Sequence, residues 1–224
     1  MTWQIPLLTG IISAIFSSIL FVKYQSDKKI YHFIWGIAIL LFSLTSFIQS
    51  YGLLNGWSKF LFLLYYVFAG YQVALLATGL IYLINRKKIG DWFLICCTVI
   101  AIIMFSIGII TNISEQNFES GNIPSGTNLQ PSIRYMFSFL SITGTILLSG
   151  ITGYSWLKTK KSYLLYILIG IVIFALSGAI ASRLNVKEAL DIGHLLGISL
   201  LFIGFMMSVE YNIEFTPTRN PEHT

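Results

Sequence analysis

The chain has 224 residues, of which 55% are hydrophobic and only 10% charged, and its mean hydropathy is +0.77. A soluble domain carries about 25% charged residues, so there is too little polar side chain here to cover a soluble globule, and the class is a polytopic integral membrane protein. The net charge of +5 comes from basic clusters between apolar runs, which is a topology signal and argues against nucleic-acid binding.

The apolar stretches are continuous and not alternating, so the fold is all-α, with spanning helices and no barrel strands. A spanning helix needs about 20 apolar residues. Seven stretches qualify: 3–22, 31–51, 58–84, 92–112, 133–157, 163–183 and 187–211. The leader Met1–Pro6 lacks the Lys/Arg of a signal peptide, so the first stretch reads as a retained helix. Residues 1–211 thus form one transmembrane domain, and 212–224 reads as a polar, disordered tail.

The connections alternate in charge. Lys23, Lys28 and Lys29 follow the first helix, Arg86, Lys87 and Lys88 the third, and Lys158, Lys160 and Lys161 the fifth. With Arg219 these make ten of the 14 basic residues, leaving Lys59, Arg134, Arg183 and Lys187 on the other side. The positive-inside rule places the N-terminus outside and the C-terminus inside a cell membrane. The one long connection, 113–132, lies outside; it is polar and punctuated by Gly and Pro. It is a linker between two halves or a cover over the outer face, and the linker is the simpler reading.

Cys96 and Cys97 are adjacent in the fourth helix, too close for an ordinary disulfide and without the partners of a zinc site, so they read as small packing residues. A gapless offset of 134 places Gly10 on Gly144, Gly36 on Gly170, Ser43 on Ser177 and Gly70 on Gly204. This suggests a 3+1+3 parallel duplication, halves 1–84 and 133–211 joined by the helix 92–112, in which glycine keeps equivalent close-packing sites. Glycine is frequent in membrane helices, so coincidence is the competing explanation.

The seventh helix carries Asp191, His194 and Glu210, which hydrocarbon makes costly. Asp191 and His194 are three apart and share a face. Asn185–Glu188 resembles a capping box, which would put Asp191 near the headgroups; Glu210 reads as an interfacial carboxylate. His194, one turn deeper, is harder to explain away. Arg134 begins the fifth helix on the same outer side, where it would snorkel to water or pair with Asp191 or Glu119. On the third helix, Gln72 is near mid-bilayer, seven residues from Tyr65 on one face, with Tyr66 and Tyr71 nearby. A buried amide needs a partner: it is interhelical glue or part of a polar cavity. Gln49 on the second helix is a further candidate.

No lysine lies inside the seventh helix for a retinal Schiff base, the histidines are at different depths, and no HExxH, GxSxG or phosphate-loop pattern occurs. No cofactor, metal or enzymatic activity is expected. The leading reading is a protein that binds or passes a small molecule through a polar cavity between the third and seventh helices, using His194, Gln72, Tyr65, Tyr71, Asp191 and Arg134. The alternative is a sensor or accessory subunit that packs against a membrane partner, or against a second copy, through small-residue faces such as Gly144, Ser149 and Gly153.

Overall fold

The computed structural model describes residues 3–84, 86–115, 118–184 and 187–214, with the backbone alone at 178–184, 187–188 and 209–214. Among the described residues there are seven α-helices: α1 Gln4–Asp27, α2 Ile30–Asn55, α3 Lys59–Leu83, α4 Lys87–Ile110, α5 Pro131–Thr159, α6 Ser162–Leu184 and α7 Lys187–Glu214. No strand occurs among the described residues. Six helices are long and apolar enough to cross a bilayer, and α6 adds an apolar stretch over Ser162–Ser177. The chain is a helical membrane protein. Continuous apolar runs set the number of helices. The polar ends extend beyond them, α1 reaching Asp27 and α4 beginning at Lys87. The side chains of Arg183, Lys187, Glu188 and Glu210, residue Asn185, and the tail from 215 lie outside the described residues.

Packing follows chain order. α1 lies on α2, α2 on α3, α3 on α5, α5 on α6, α6 on α7, and α7 returns to α1. Six helices therefore close a ring, and α4 sits outside it against α3 and α5. α3 touches three neighbours and is apolar around most of its circumference, as such a position demands. Small residues let backbones approach. Ser17 Oγ donates to Gly36 O and Ser43 Oγ to Gly10 O, both at 2.8 Å, so α1 and α2 bond across two serine–glycine pairs. Gly144 on α5 lies against Val73, where an added Cβ would come within 2.9 Å of the Val73 backbone.

The ring pairs helices as a two-fold repeat requires, but its glycines do not keep equivalent sites. Gly10 faces Phe47 on α2, whereas Gly144 faces Val73 on α3. Gly70 faces Phe137 on α5, whereas Gly204 faces Ile167 on α6. The closer match is in the turns at the basic end. α1 and α5 each finish on a lysine in the left-handed region, Lys28 (φ 53) and Lys160 (φ 55). These turns are 132 residues apart in sequence, not the 134 that aligns the glycines.

The described residues of the long connection, 113–115 and 118–130, are hydrogen-bonded and packed onto the bundle, not a loose linker. Trp57 N–H donates to Phe118 O at 2.7 Å, and its indole Nε1–H to Asn122 O at 2.7 Å. Gly121 N–H donates to Leu53 O, and Ser114 and Asn128 bond to each other through backbone and side chain. Phe118, Ile113 and Leu129 join the core around Phe62, Met104 and Ile133. The segment is a cap over α3, α4 and α5 at the end of the bundle opposite the lysine turns. Its polar composition suggested a linker because most of its anchors are backbone groups, which composition does not show.

Candidate functional site

Polar groups in the half of the bundle beneath the cap converge on α7. Gln49 on α2 and Asp191 on α7 are 2% and 3% exposed, and Gln49 Nε2 donates to Asp191 Oδ1 at 2.6 Å. Asp191 is thus buried among the helices, near the start of α7. A carboxylate can be held there because an amide from α2, which is not adjacent to α7 in the ring, supplies a charge-assisted hydrogen bond.

His194, one turn deeper, stacks on Phe174 of α6 with ring centroids 4.8 Å apart, and meets Phe42 of α2 edge-on at 5.5 Å. Phe42 and Gln49 are seven residues apart, so one face of α2 addresses both α7 residues. His194 makes no hydrogen bond among the described residues; its contacts are aromatic. It faces the ring interior.

α3 contributes a second stripe. The Tyr65 hydroxyl lies within the electrostatic reach of Asp191, and its ring meets Trp57 edge-on at 5.3 Å. Two turns deeper Gln72 is 5% exposed, and its carbonyl Oε1 has no hydrogen-bond partner. Leu76, one turn further, packs into the cluster of Phe16, Leu20, Ile39, Phe42, Ile198 and Phe205, which fixes this α3 face toward the centre. The same cluster fills the middle of the ring with side chains.

Tyr71 belongs elsewhere. Its hydroxyl shares a 2.7 Å hydrogen bond with Thr98 on α4, so it points out of the ring. Arg134 makes no ion pair with Asp191 or Glu119; its Nε is buried without a partner, and its charge lies near Tyr66. The structure therefore gathers Tyr65, Gln49, Asp191 and His194 on interior faces, with Gln72 below. It turns Tyr71 toward α4 and leaves Arg134 at the start of α5.

Trp57 joins this interior to the surface. It is bonded to the cap on one side and touches Phe62 and Tyr65 on the other. An open cavity of about 570 Å³ lies on its outer side, lined by residues including Tyr51, Asn55, Trp57, Phe118 and Glu119. Sequence reasoning passed over Trp57. The signal was the turn Asn55-Gly56-Trp57-Ser58, with Gly56 at φ 88 holding the indole against the cap. Chemically the interior offers the unpaired amide carbonyl of Gln72, a carboxylate, a phenol and an imidazole, in surroundings where each hydrogen bond is strengthened by low dielectric.

Comparison with protein-family models, with curated proteins and with solved structures finds no match to this chain.

Proposed function

We propose that this membrane protein recognises a small polar molecule within the outer half of its six-helix ring. The observation that carries this is Gln72, whose carbonyl is buried on the inward face of α3 with no protein donor. An unpaired buried acceptor costs about 1–3 kcal/mol, and a ligand N–H or O–H relieves it. Tyr65, Asp191 and His194 supply the remaining polar contacts, which favours a ligand bearing donors, such as an amine, amide or polyol. Entry is from the outer face past Trp57 and the cap. Whether the bound molecule then moves across follows from whether the phenylalanine-rich cluster below Gln72 opens.

The test is thermal stability of the purified protein against a metabolite panel. A ligand at 100 times its Kd contributes about 2.7 kcal/mol, or roughly 5–10 °C in Tm for a chain of this size. Gln72→Leu is expected to leave the ligand-free Tm unchanged or higher, because it removes an unsatisfied amide, and to abolish the ligand-dependent rise. A ligand response that survives Gln72→Leu intact, or no response to any compound, overturns the reading.

A further inference from the structure

The cavity beside Trp57 has a chemistry of its own, apart from the interior of the ring. Its walls are the α2–α3 turn, with Tyr51 one helical turn before it, and Phe118, Glu119 and Ser120 of the cap. Its volume of about 570 Å³ is that of a small-molecule site. Turn and cap are fixed to each other. Gly56 takes φ 88, and a Cβ there would come within 3.1 Å of Phe118 O, so glycine is what lets the two segments meet.

Most fixed N–H donors around this cavity are already committed. Trp57 N–H donates to Phe118 O and its indole Nε1–H to Asn122 O, both at 2.7 Å. Gly56 N–H donates to Gly52 O at 2.9 Å, Leu61 N–H to Ser58 Oγ at 3.3 Å, and Asn55 Nδ2 reaches Tyr51 O at 3.5 Å. What the lining still offers is the aromatic surface of Tyr51, Trp57 and Phe118, a few hydroxyls, and the carboxylate of Glu119. Among the described residues that line the cavity, Glu119 alone is charged, and it makes no ion pair with a described residue. Lys59, next along the chain from Ser58, turns away, its Nζ donating to Ile109 O of α4 at 3.3 Å.

We propose that this cavity binds a small soluble organic cation bearing an alkylammonium group. Glu119 balances the charge, and the three aromatic residues supply the electron-rich surface that attracts an ammonium and its alkyl substituents. An anion would meet the Glu119 carboxylate and few open donors. The walls are the end of α2, the turn after it and the cap, not the apolar middle of the helices, which favours a dissolved ligand over a lipid headgroup. The site uses none of the side chains proposed to hold a ligand inside the ring, so the two readings stand or fall separately.

The test is choline binding to the full chain in maltoside micelles, read by isothermal titration calorimetry. Choline is expected to bind, and its uncharged carbon isostere dimethylbutanol to bind about tenfold more weakly or less. Glu119→Gln is expected to weaken choline binding about fivefold or more, and Tyr51→Leu about threefold. Both side chains are exposed, so neither change disturbs the core. Glu115→Gln, an exposed carboxylate of the cap outside the cavity lining, and Gln72→Leu are expected to leave choline binding unchanged. No binding of choline, or equal binding of dimethylbutanol, would overturn the ammonium assignment. Equal weakening in Glu115→Gln would reduce the effect to bulk charge and overturn the site. Loss in Gln72→Leu would move the cation to the interior and overturn this cavity as its place. Choline binding blocked in phosphatidylcholine nanodiscs and kept in phosphatidylglycerol nanodiscs would make this a headgroup site and overturn the assignment to a dissolved ligand.

Discussion

Replacing Gln49 by leucine removes the amide that donates to Asp191 Oδ1 at 2.6 Å and leaves an apolar group of similar size. Both residues are almost wholly buried, so water does not readily replace the lost donor. A hydrogen bond to a charged group contributes about 1.5–3 kcal/mol in soluble proteins. Bonds between membrane helices average about 0.6 kcal/mol and reach about 1.7. Asp191 keeps other interactions, which places the expected loss between these ranges, at about 1–2 kcal/mol. For a chain of this length that lowers Tm by about 2–8 °C. A double-mutant cycle isolates the contact: Gln49→Leu, Asp191→Leu and the pair are compared by unfolding in mixed micelles. A coupling energy of about 1–2 kcal/mol is expected. Losses that add to within about 0.3 kcal/mol would show that the two side chains do not interact, and would refute the argument that an amide holds the carboxylate inside the ring.

Two further tests address packing and the cap. Gly144→Val drives a side chain into the Val73 backbone and is expected to destabilise by about 1–3 kcal/mol or more, whereas Gly150→Val meets open space and should stay within about 0.5 kcal/mol; the same unfolding assay compares them. Trp57→Ala removes the indole bond to Asn122 O and the contacts to Phe62 and Tyr65, so limited proteolysis of the 113–130 segment from the outer face should speed up about tenfold while the helices stay protected; an unchanged cleavage rate would mean the cap is held by its backbone bonds alone.

The helices were legible because hydrocarbon imposes a simple rule: a run of about 20 apolar residues must be helical. Asp191 and His194 were legible as exceptions to that rule, and so was Gln72. Their settings were not. Gln49 and Asp191 are 142 residues apart, and nothing local in either helix reveals the other. The place of Asp191 near a helix start explains its charge locally and gives no hint of burial, because its amide donor belongs to α2. Tyr71 and Gln72 are neighbours in sequence, and a rotation of about 100° per residue sends one to α4 and the other to the centre. The cap was hidden for a different reason. Its composition is that of any polar loop, and backbone hydrogen bonds to Leu53, Trp57 and Asn128 leave little trace in residue type. The paired turns were half visible. The lysines are legible as topology markers, while the aromatic rings beneath them carry no separate signal in the sequence.

The return of α7 to α1 has a consequence for how the protein is made. α1 and α7 meet, so the ring stays open on one side until α7 has been made. Through that interval α2 already stands in the bilayer with Gln49 on the face that α7 comes to contact. An aspartate entering the hydrocarbon raises the insertion cost of its helix by as much as about 2.5–3.5 kcal/mol at the centre. Docking against Gln49 offsets part of that cost at the point of entry. The early hairpin thus acts as an internal receptor for the late helix, and a nascent chain halted after α6 presents an amide still waiting for its carboxylate.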